Sequence, residues 1–480
     1  MRPSPFIGRK RELALLNDLL RRKIASLVVL KGRRRIGKSR LIEEFAKDLK
    51  IVTLSGLPAT DGMTAQHQRD EFAKILSRTF HIPPPNSQDW SDLFWHLAHH
   101  TSKGRAIILI DEISWMGAKD PTFLGKLKNA WDLYLKKNPQ LILVLCGSVS
   151  SWIEKNILSS TGFLGRVDLT LTLEELNLTE SAQFWGPHRT QLSAYEIFKM
   201  LAVTGGVPRY LESLSTQKSA EENIKSLCFI KEGYLYSEFE KIFHDLFGKR
   251  SHVYREILLT LVHKPHSSLE DIFQNLKMQK SGTISNYLED LILAGFVRRD
   301  YTWSIGKGTV SKLSHFRASD NYIRFYLKYI LPNKSRIERG AFLDRSLSTL
   351  PNWDIIMGLQ FENLVLQNRP ALQKLLNVDP SEIVNDNPYF QRRTSQHRGC
   401  QIDYMIQTQF NNLYVCEIKF SRNRIPAQVV DEVQAKIDAL KKPKNFSYRP
   451  ILIHVNGVED ELIAREYFAE IIDFGELLQN

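Results

Sequence analysis

Residues Lys31–Leu41, KGRRRIGKSRL, decide how the rest of the chain is read. The apolar run Ser26–Leu30 precedes them and the amphipathic run Leu41–Leu49 follows, so they form a turn between a strand and a helix. Gly32, four residues, then Gly37-Lys38-Ser39 fits the G-x-x-x-x-G-K-[ST] pattern of a phosphate-binding loop. Glycine lets the backbone curl until successive N–H groups point inward at phosphate, and the following helix adds the positive end of its dipole. Gly32, Arg33, Arg34, Arg35, Ile36, Gly37, Lys38, Ser39 and Arg40 are therefore expected around a bound nucleotide. Lys38 is expected on the β- and γ-phosphates and Ser39 on Mg²⁺. The plain alternative is a basic glycine-containing turn, which leaves the strand–loop–helix setting unexplained.

Downstream, Ala106-Ile-Ile-Leu-Ile-Asp111-Glu112 is an apolar run ending in acids. It suits a buried parallel strand delivering a carboxylate to the sheet edge where ligands bind. Asp111 is expected to reach Mg²⁺ and Glu112 to orient or deprotonate the attacking water. The next strand, Leu141–Leu145, runs into Cys146-Gly147-Ser148, whose hydroxyl either senses the γ-phosphate or caps the strand. Arg166, after Gly165, either stabilises transition-state charge, in cis or from a neighbouring subunit, or is a surface arginine. Pro208 lies in Thr204-Gly-Gly-Val-Pro-Arg-Tyr-Leu211, which breaks the helical pattern of Ala194–Ala202 as a small helical lid over a nucleotide would.

At 480 residues the chain exceeds a single core, and roughly three domains are expected. Its longest apolar runs are strand-sized, and MRPSPFIGRK has no apolar signal core, so a cytoplasmic location and no membrane partner are expected. Cys146, Cys228, Cys400 and Cys416 lack C-x-x-C spacing, which argues against a disulfide framework and a zinc site, and buried thiols are expected. A net charge of +12 favours a polyanionic partner.

From Ser251 to about Arg317 short helical patterns precede a strand pair with the turn Gly306-Lys307-Gly308. Three helices and a hairpin suggest a winged helix-turn-helix. Its third helix would offer Lys280, Ser281, Thr283, Ser285 and Asn286 to a DNA groove, with Arg298, Arg299 and Lys307 on phosphates. Tyr322, Phe325, Tyr326 and Tyr329 follow at helical spacing, which favours core packing over base stacking.

In the last third a helix carries Phe361-Glu362, Asp403 lies on one strand, and Glu417-Ile-Lys419 lies on the next. Because i and i+2 share a strand face, Asp403, Glu417 and Lys419 can meet at one edge. The carboxylates would hold Mg²⁺, with Glu362 as an outer ligand, and Lys419 would position water or steady a phosphate. Arg392, Arg393, Arg398, Arg422, Arg424, Lys441, Lys442 and Lys444 either track a phosphate backbone or form a solvated face.

Taken in order, Phe6-Ile-Gly-Arg-Lys-Arg-Glu-Leu13, GRRRIGKSRL, ILIDE, CGS, GR and GGVPRYL resemble archaeal and bacterial ATPases related to the AAA+ and STAND classes. These carry a DUF234-type, nuclease-like C-terminal region, and the resemblance spans nearly the whole chain. It implies an ATPase of the ASCE kind, with Phe6–Arg9 near the adenine, Ser148 as sensor, Arg166 as the GR arginine and GGVPRYL in the lid. Glu362, Asp403, Glu417 and Lys419 resemble the PD-(D/E)XK nuclease pattern, except that Ile402 stands where that pattern has proline.

The expected architecture is α/β: a P-loop ASCE ATPase core over 1–175, a helical lid over 176–245, a winged helix over 246–320, and linker helices with an α/β PD-(D/E)XK nuclease-like domain over 321–480. The expected function is an ATP- and Mg²⁺-dependent ATPase coupled through the winged helix to a metal-dependent DNA nuclease. Two rivals remain: a STAND-like switch binding DNA or a protein partner with an inactive nuclease fold, and a helicase loader-like ATPase that leaves Asp403, Glu417 and Lys419 idle. A homo-oligomer is compatible with each.

Overall fold

The computed structural model describes residues 5–58, 62–86, 88–277, 282–393, 395 and 398–479, so Lys280 and Ser281 lie outside it. The chain divides into two units, Met1–Glu175 and Leu176–Asn480.

The first unit is built on a five-stranded sheet of β1 (Ser26–Lys31), β2 (Ile51–Ser55), β3 (Ala106–Asp111), β4 (Leu141–Gly147) and β5 (Leu169–Thr172), in the order β2-β3-β4-β1-β5. Every pairing is parallel. The inner strands β1, β3 and β4 carry the continuous apolar runs Leu27–Leu30, Ala106–Ile110 and Leu141–Cys146, all buried, as a sheet covered on both faces requires. The edge strands β2 and β5 alternate instead. Along β1, Leu27 and Val29 enter one core with Phe72, Trp90 and Phe123, whereas Val28 and Leu30 enter another with Leu16, Leu41 and Ile42. The two-residue period of a strand thus feeds two helix layers.

In the second unit, helices Ser251–Val262, Leu269–Leu276 and Gly282–Leu293 precede the antiparallel pair β6 (Val297–Trp303) and β7 (Val310–Ala318). Thr283, Ser285 and Asn286 are exposed on the third helix. Tyr322, Phe325, Tyr326 and Tyr329 are buried in this unit's core. The turn after β6 is not a free wing. Asn385 donates to the Gly308 carbonyl (2.8 Å), Trp303 Nε1 donates to Gln407 (2.6 Å), and Gln407 donates to the Ile305 carbonyl (2.9 Å). These bonds seat the hairpin tip on β8 (Ile383–Gln391) and β9 (Cys400–Thr408).

The C-terminal sheet runs β12-β11-β10-β9-β8, with β10 (Asn412–Ile418), β11 (Ser447–His454) and β12 (Glu470–Asp473). Strands β8, β9 and β10 pair antiparallel, and β10, β11 and β12 pair parallel. One face (Tyr404, Ile406, Cys416, Ile453) packs with Phe361 and Leu364 of the Trp353–Gln367 helix. The other (Met405, Leu413, Val415, Leu452) packs with Val433 and Ile437 of the Val429–Ala439 helix.

The 176–245 segment, expected as a nucleotide lid, buries its apolar residues in the second unit. Leu178, Trp185, Phe198 and Leu201 share a core with Phe361 and Tyr404, and Tyr210, Phe239 and Phe243 share one with Tyr322 and Tyr326.

Candidate functional site

The Lys31–Lys38 turn has the shape its glycines call for. Gly32 has φ +150°, and a Cβ there would meet the Leu173 carbonyl oxygen at 2.5 Å. Gly37, at φ 88°, caps the Lys38–Phe45 helix, whose start faces the turn. Lys38 is buried, and its ammonium donates to the carbonyls of Gly32 and Arg33, both at 3.0 Å. Its Nζ thus bridges the turn.

Arg9 does what the sequence did not reveal. Buried ahead of the Lys10–Leu19 helix, it donates to the carbonyls of Ile36 (3.2 Å) and Glu174 (2.6 Å), bracing the loop. The three loop arginines differ in placement. Arg33 is buried and pairs with Glu175 at 3.1 Å, so its guanidinium is directed at that carboxylate. Arg34 lies over the Trp115 ring at 5.6 Å, Arg35 is exposed with φ 68°, and Arg40 pairs with Glu43 at 3.5 Å.

Strand β3 brings its acids to the loop. Ser39 Oγ donates to Asp111 Oδ2 at 2.6 Å, and Asp111 Oδ1 accepts from the Glu112 N–H at 2.9 Å. A hydroxyl and a carboxylate side by side are the hard oxygen pair that Mg²⁺ takes, so these residues fit the ion. Glu112 has φ 48°, the left-handed region. Its carboxylate accepts from Ser148 at the end of β4, from Oγ at 2.9 Å and from N–H at 3.2 Å. This contact is possible because β4 lies between β1 and β3.

Arg166 is committed elsewhere. Its Nε lies 3.1 Å from both oxygens of Asp132 and its Nη2 2.8 Å from Oδ2, while Lys128 and Lys136 each approach the same carboxylate at 3.1 Å. The Arg166 guanidinium, opposing a smaller cost of burial, holds Asp132 well below the usual carboxylate range. Pro208 opens the short Pro208–Leu211 helix in the second unit.

At the C-terminal sheet, β9 and β10 pair Tyr404 with Cys416, which puts Asp403 opposite Glu417 one step further on. Asp403 Oδ2 accepts from the Ile418 N–H at 3.0 Å. Lys419 Nζ lies 3.1 Å from Glu417 Oε1, so the expected trio does meet. Two further residues join it from the Val429–Ala439 helix. Lys436 Nζ is 2.5 Å from Glu417 Oε2 and 3.7 Å from Asp403 Oδ1, and Glu432 accepts from Lys419 at 2.7 Å. Burial first, then the Glu417 charge, raises Asp403 above the usual carboxylate range against the pull of Lys436. Lys419 and Lys436 are also raised: burial alone would lower them, and the carboxylates outweigh it. A Glu and a Lys four apart on one helix was the available signal for these two residues.

Glu362 does not complete a three-carboxylate cage. The buried His266 ring faces it, with Nε2 at 3.6 Å, and among the described residues no group of three or more His, Cys, Asp or Glu side chains is placed to hold a metal. Cys146, Cys228 and Cys416 are buried free thiols and Cys400 is half-buried.

A parallel sheet with a glycine-lysine-serine loop on one strand and paired acids ending a neighbouring strand defines a P-loop ATPase. Residues 6–214 match the family model described as an ATPase domain predominantly from Archaea. Protein MJECL04 of Methanocaldococcus jannaschii is 24% identical over 400 residues, 83% of each chain. The ATP-binding protein MJ0423 of the same organism is 44% identical over 46 residues, 10% of this chain and 78% of its own. The Walker-type ATPase PABY2304 of Pyrococcus abyssi superposes with a TM-score of 0.52 at 17% identity, covering 67% of this chain and 96% of that one. Among the described residues no helix is long and apolar enough to cross a membrane.

Proposed function

We propose that the chain binds and hydrolyses ATP with Mg²⁺ and couples that cycle to a nuclease-like centre acting on DNA. The observation that carries the ATPase reading is the pair of contacts Ser39–Asp111 and Glu112–Ser148 beside the loop. The first sets a hydroxyl beside a carboxylate, a pair suited to Mg²⁺, and the second holds Glu112 next to that pair, where it would activate water. Mg²⁺ would supply charge neutralisation at the phosphates. Lys38, now bridging two loop carbonyls, would exchange them for phosphate oxygens.

For the second unit, the reading rests on Asp403, Glu417 and Lys419 meeting at one sheet edge, as in a PD-(D/E)XK site of the DUF234 type, and on the exposed Thr283, Ser285 and Asn286 of the winged-helix fold as the DNA-facing residues. The net charge of +12 suits a polyanion. The test incubates purified chain with single-stranded DNA, duplex DNA and RNA, with Mg²⁺, with and without ATP, beside an Asp403→Ala control. Cleavage that requires Asp403 supports the reading, and no cleavage under any condition sinks it. A second reading, a STAND-like switch with a silent nuclease fold, is favoured by one observation: Lys436 already sits between the two carboxylates.

A further inference from the structure

The C-terminal carboxylates have a cation of their own. Asp403 and Glu417 project from neighbouring strands, and the Lys436 ammonium reaches both, at 3.7 Å and 2.5 Å. The helix that carries Lys436 is anchored at this edge: Cys400 Sγ donates to the Lys436 carbonyl at 3.3 Å, and Tyr467 donates to Gln434 at 3.0 Å. One turn earlier on the same helix face, Glu432 accepts from Lys419 at 2.7 Å while Lys419 also meets Glu417 at 3.1 Å. Helix and strand therefore exchange one acid and one base each, and Lys436 carries that network to Asp403. A divalent cation held by Asp403 and Glu417 would have to share their oxygens with an ammonium in direct contact, and like charges at that separation repel strongly where water is scarce. As arranged, the pair does not fit a metal ion.

We propose that Lys436 is an internal counter-ion that closes this carboxylate pair, and that a divalent cation binds Asp403 and Glu417 only when Lys436 withdraws. The proposal rests on the nuclease-like reading of the second unit and assigns its regulation to the Val429–Ala439 helix. It makes Lys436 a residue that sets metal access, in contrast to Lys419, which keeps its carboxylate partner Glu432 whether or not Glu417 is released. A divalent cation is the only ligand the proposal needs.

The test is a titration of the full chain, free of nucleotide, with Mn²⁺ alone, following free Mn²⁺ by electron paramagnetic resonance. Wild type, Lys436→Gln, Lys436→Arg, Asp403→Asn and the double variant Asp403→Asn with Lys436→Gln are compared, with thermal melting to establish that each is folded. Lys436→Gln is expected to bind one Mn²⁺ at least about tenfold more tightly than wild type, since removing a cation from direct contact with the ligands removes their chief competitor. Lys436→Arg keeps a cation and is expected to stay closed, and the double variant is expected to lose the gained site. If wild type and Lys436→Gln bind Mn²⁺ equally and both lose it on Asp403→Asn, the counter-ion proposal is overturned while the metal-dependent reading stands. If no variant binds Mn²⁺ through Asp403, both fall together.

Discussion

Ser148 donates both its hydroxyl (2.9 Å) and its backbone N–H (3.2 Å) to one oxygen of Glu112. Those two hydrogen bonds fix the carboxylate of a residue whose backbone is in the left-handed region. Glu112→Gln is expected to lower ATP turnover by about 10²-fold or more, the usual yield of a positioned acid–base group, with nucleotide affinity kept. Ser148→Ala is expected to give a smaller loss in turnover and no change in affinity. Steady-state phosphate release and nucleotide titration check both. Full turnover in Glu112→Gln would remove it from the reaction.

Lys38→Ala is expected to abolish nucleotide binding or hydrolysis and leave the fold intact. Among the described residues its ammonium donates to two loop carbonyls, so its loss costs the loop two bonds and removes no residue from the unit's apolar cores. Fluorescent-nucleotide binding with circular dichroism checks this, and unchanged ATPase activity would refute the loop assignment.

Asp403→Ala and Lys419→Ala are each expected to remove Mg²⁺-dependent DNA cleavage and spare ATP turnover, because they lie in the second unit. Gel-based cleavage beside phosphate release reads the two activities apart. Cleavage that persists in both variants would place the reaction elsewhere.

Arg166→Ala is expected to lower thermal stability at neutral pH. Asp132 is held below its ordinary range by Arg166, so the pair stabilises the fold above the unfolded aspartate value of about 4 and loses that contribution as pH falls below it. The gap in melting temperature between wild type and variant is therefore expected to narrow from pH 7 toward pH 3. A gap independent of pH would mean that the pair contributes through packing alone.

Gly206→Ala is expected to destabilise the second unit by about 1–3 kcal/mol, the range for forced overpacking. An added Cβ would meet the Leu176 carbonyl oxygen at 2.1 Å, and Leu176 N–H donates to the Gly206 carbonyl at 2.8 Å, so both backbones would have to part. Denaturant unfolding measures it.

Much of the first site was legible because its determinants are local. The loop needs positive φ at set positions, the strand needs an uninterrupted apolar run, and both appear in the order of residues. For the same reason the packing of Tyr322, Phe325, Tyr326 and Tyr329 follows from their spacing. Thr283, Ser285 and Asn286 are exposed, as a groove-facing helix requires, although the hairpin tip of the same segment is seated on β8 and β9 by Asn385 and Gln407. Those two partners lie about a hundred residues or fewer away in sequence and carry no local mark of that pairing.

The sequence by itself determined the phosphate-binding loop, the acids Asp111 and Glu112, and the strand placement that lets Asp403, Glu417 and Lys419 meet. Only the tertiary structure decided what each charge finds. Arg166 turned to Asp132, Arg33 to Glu175, Glu362 toward His266, and Lys436 to the carboxylates expected to hold a metal. The reason is physical: backbone conformation answers to neighbours along the chain, whereas a long charged side chain answers to whichever opposite charge the packed elements bring within reach.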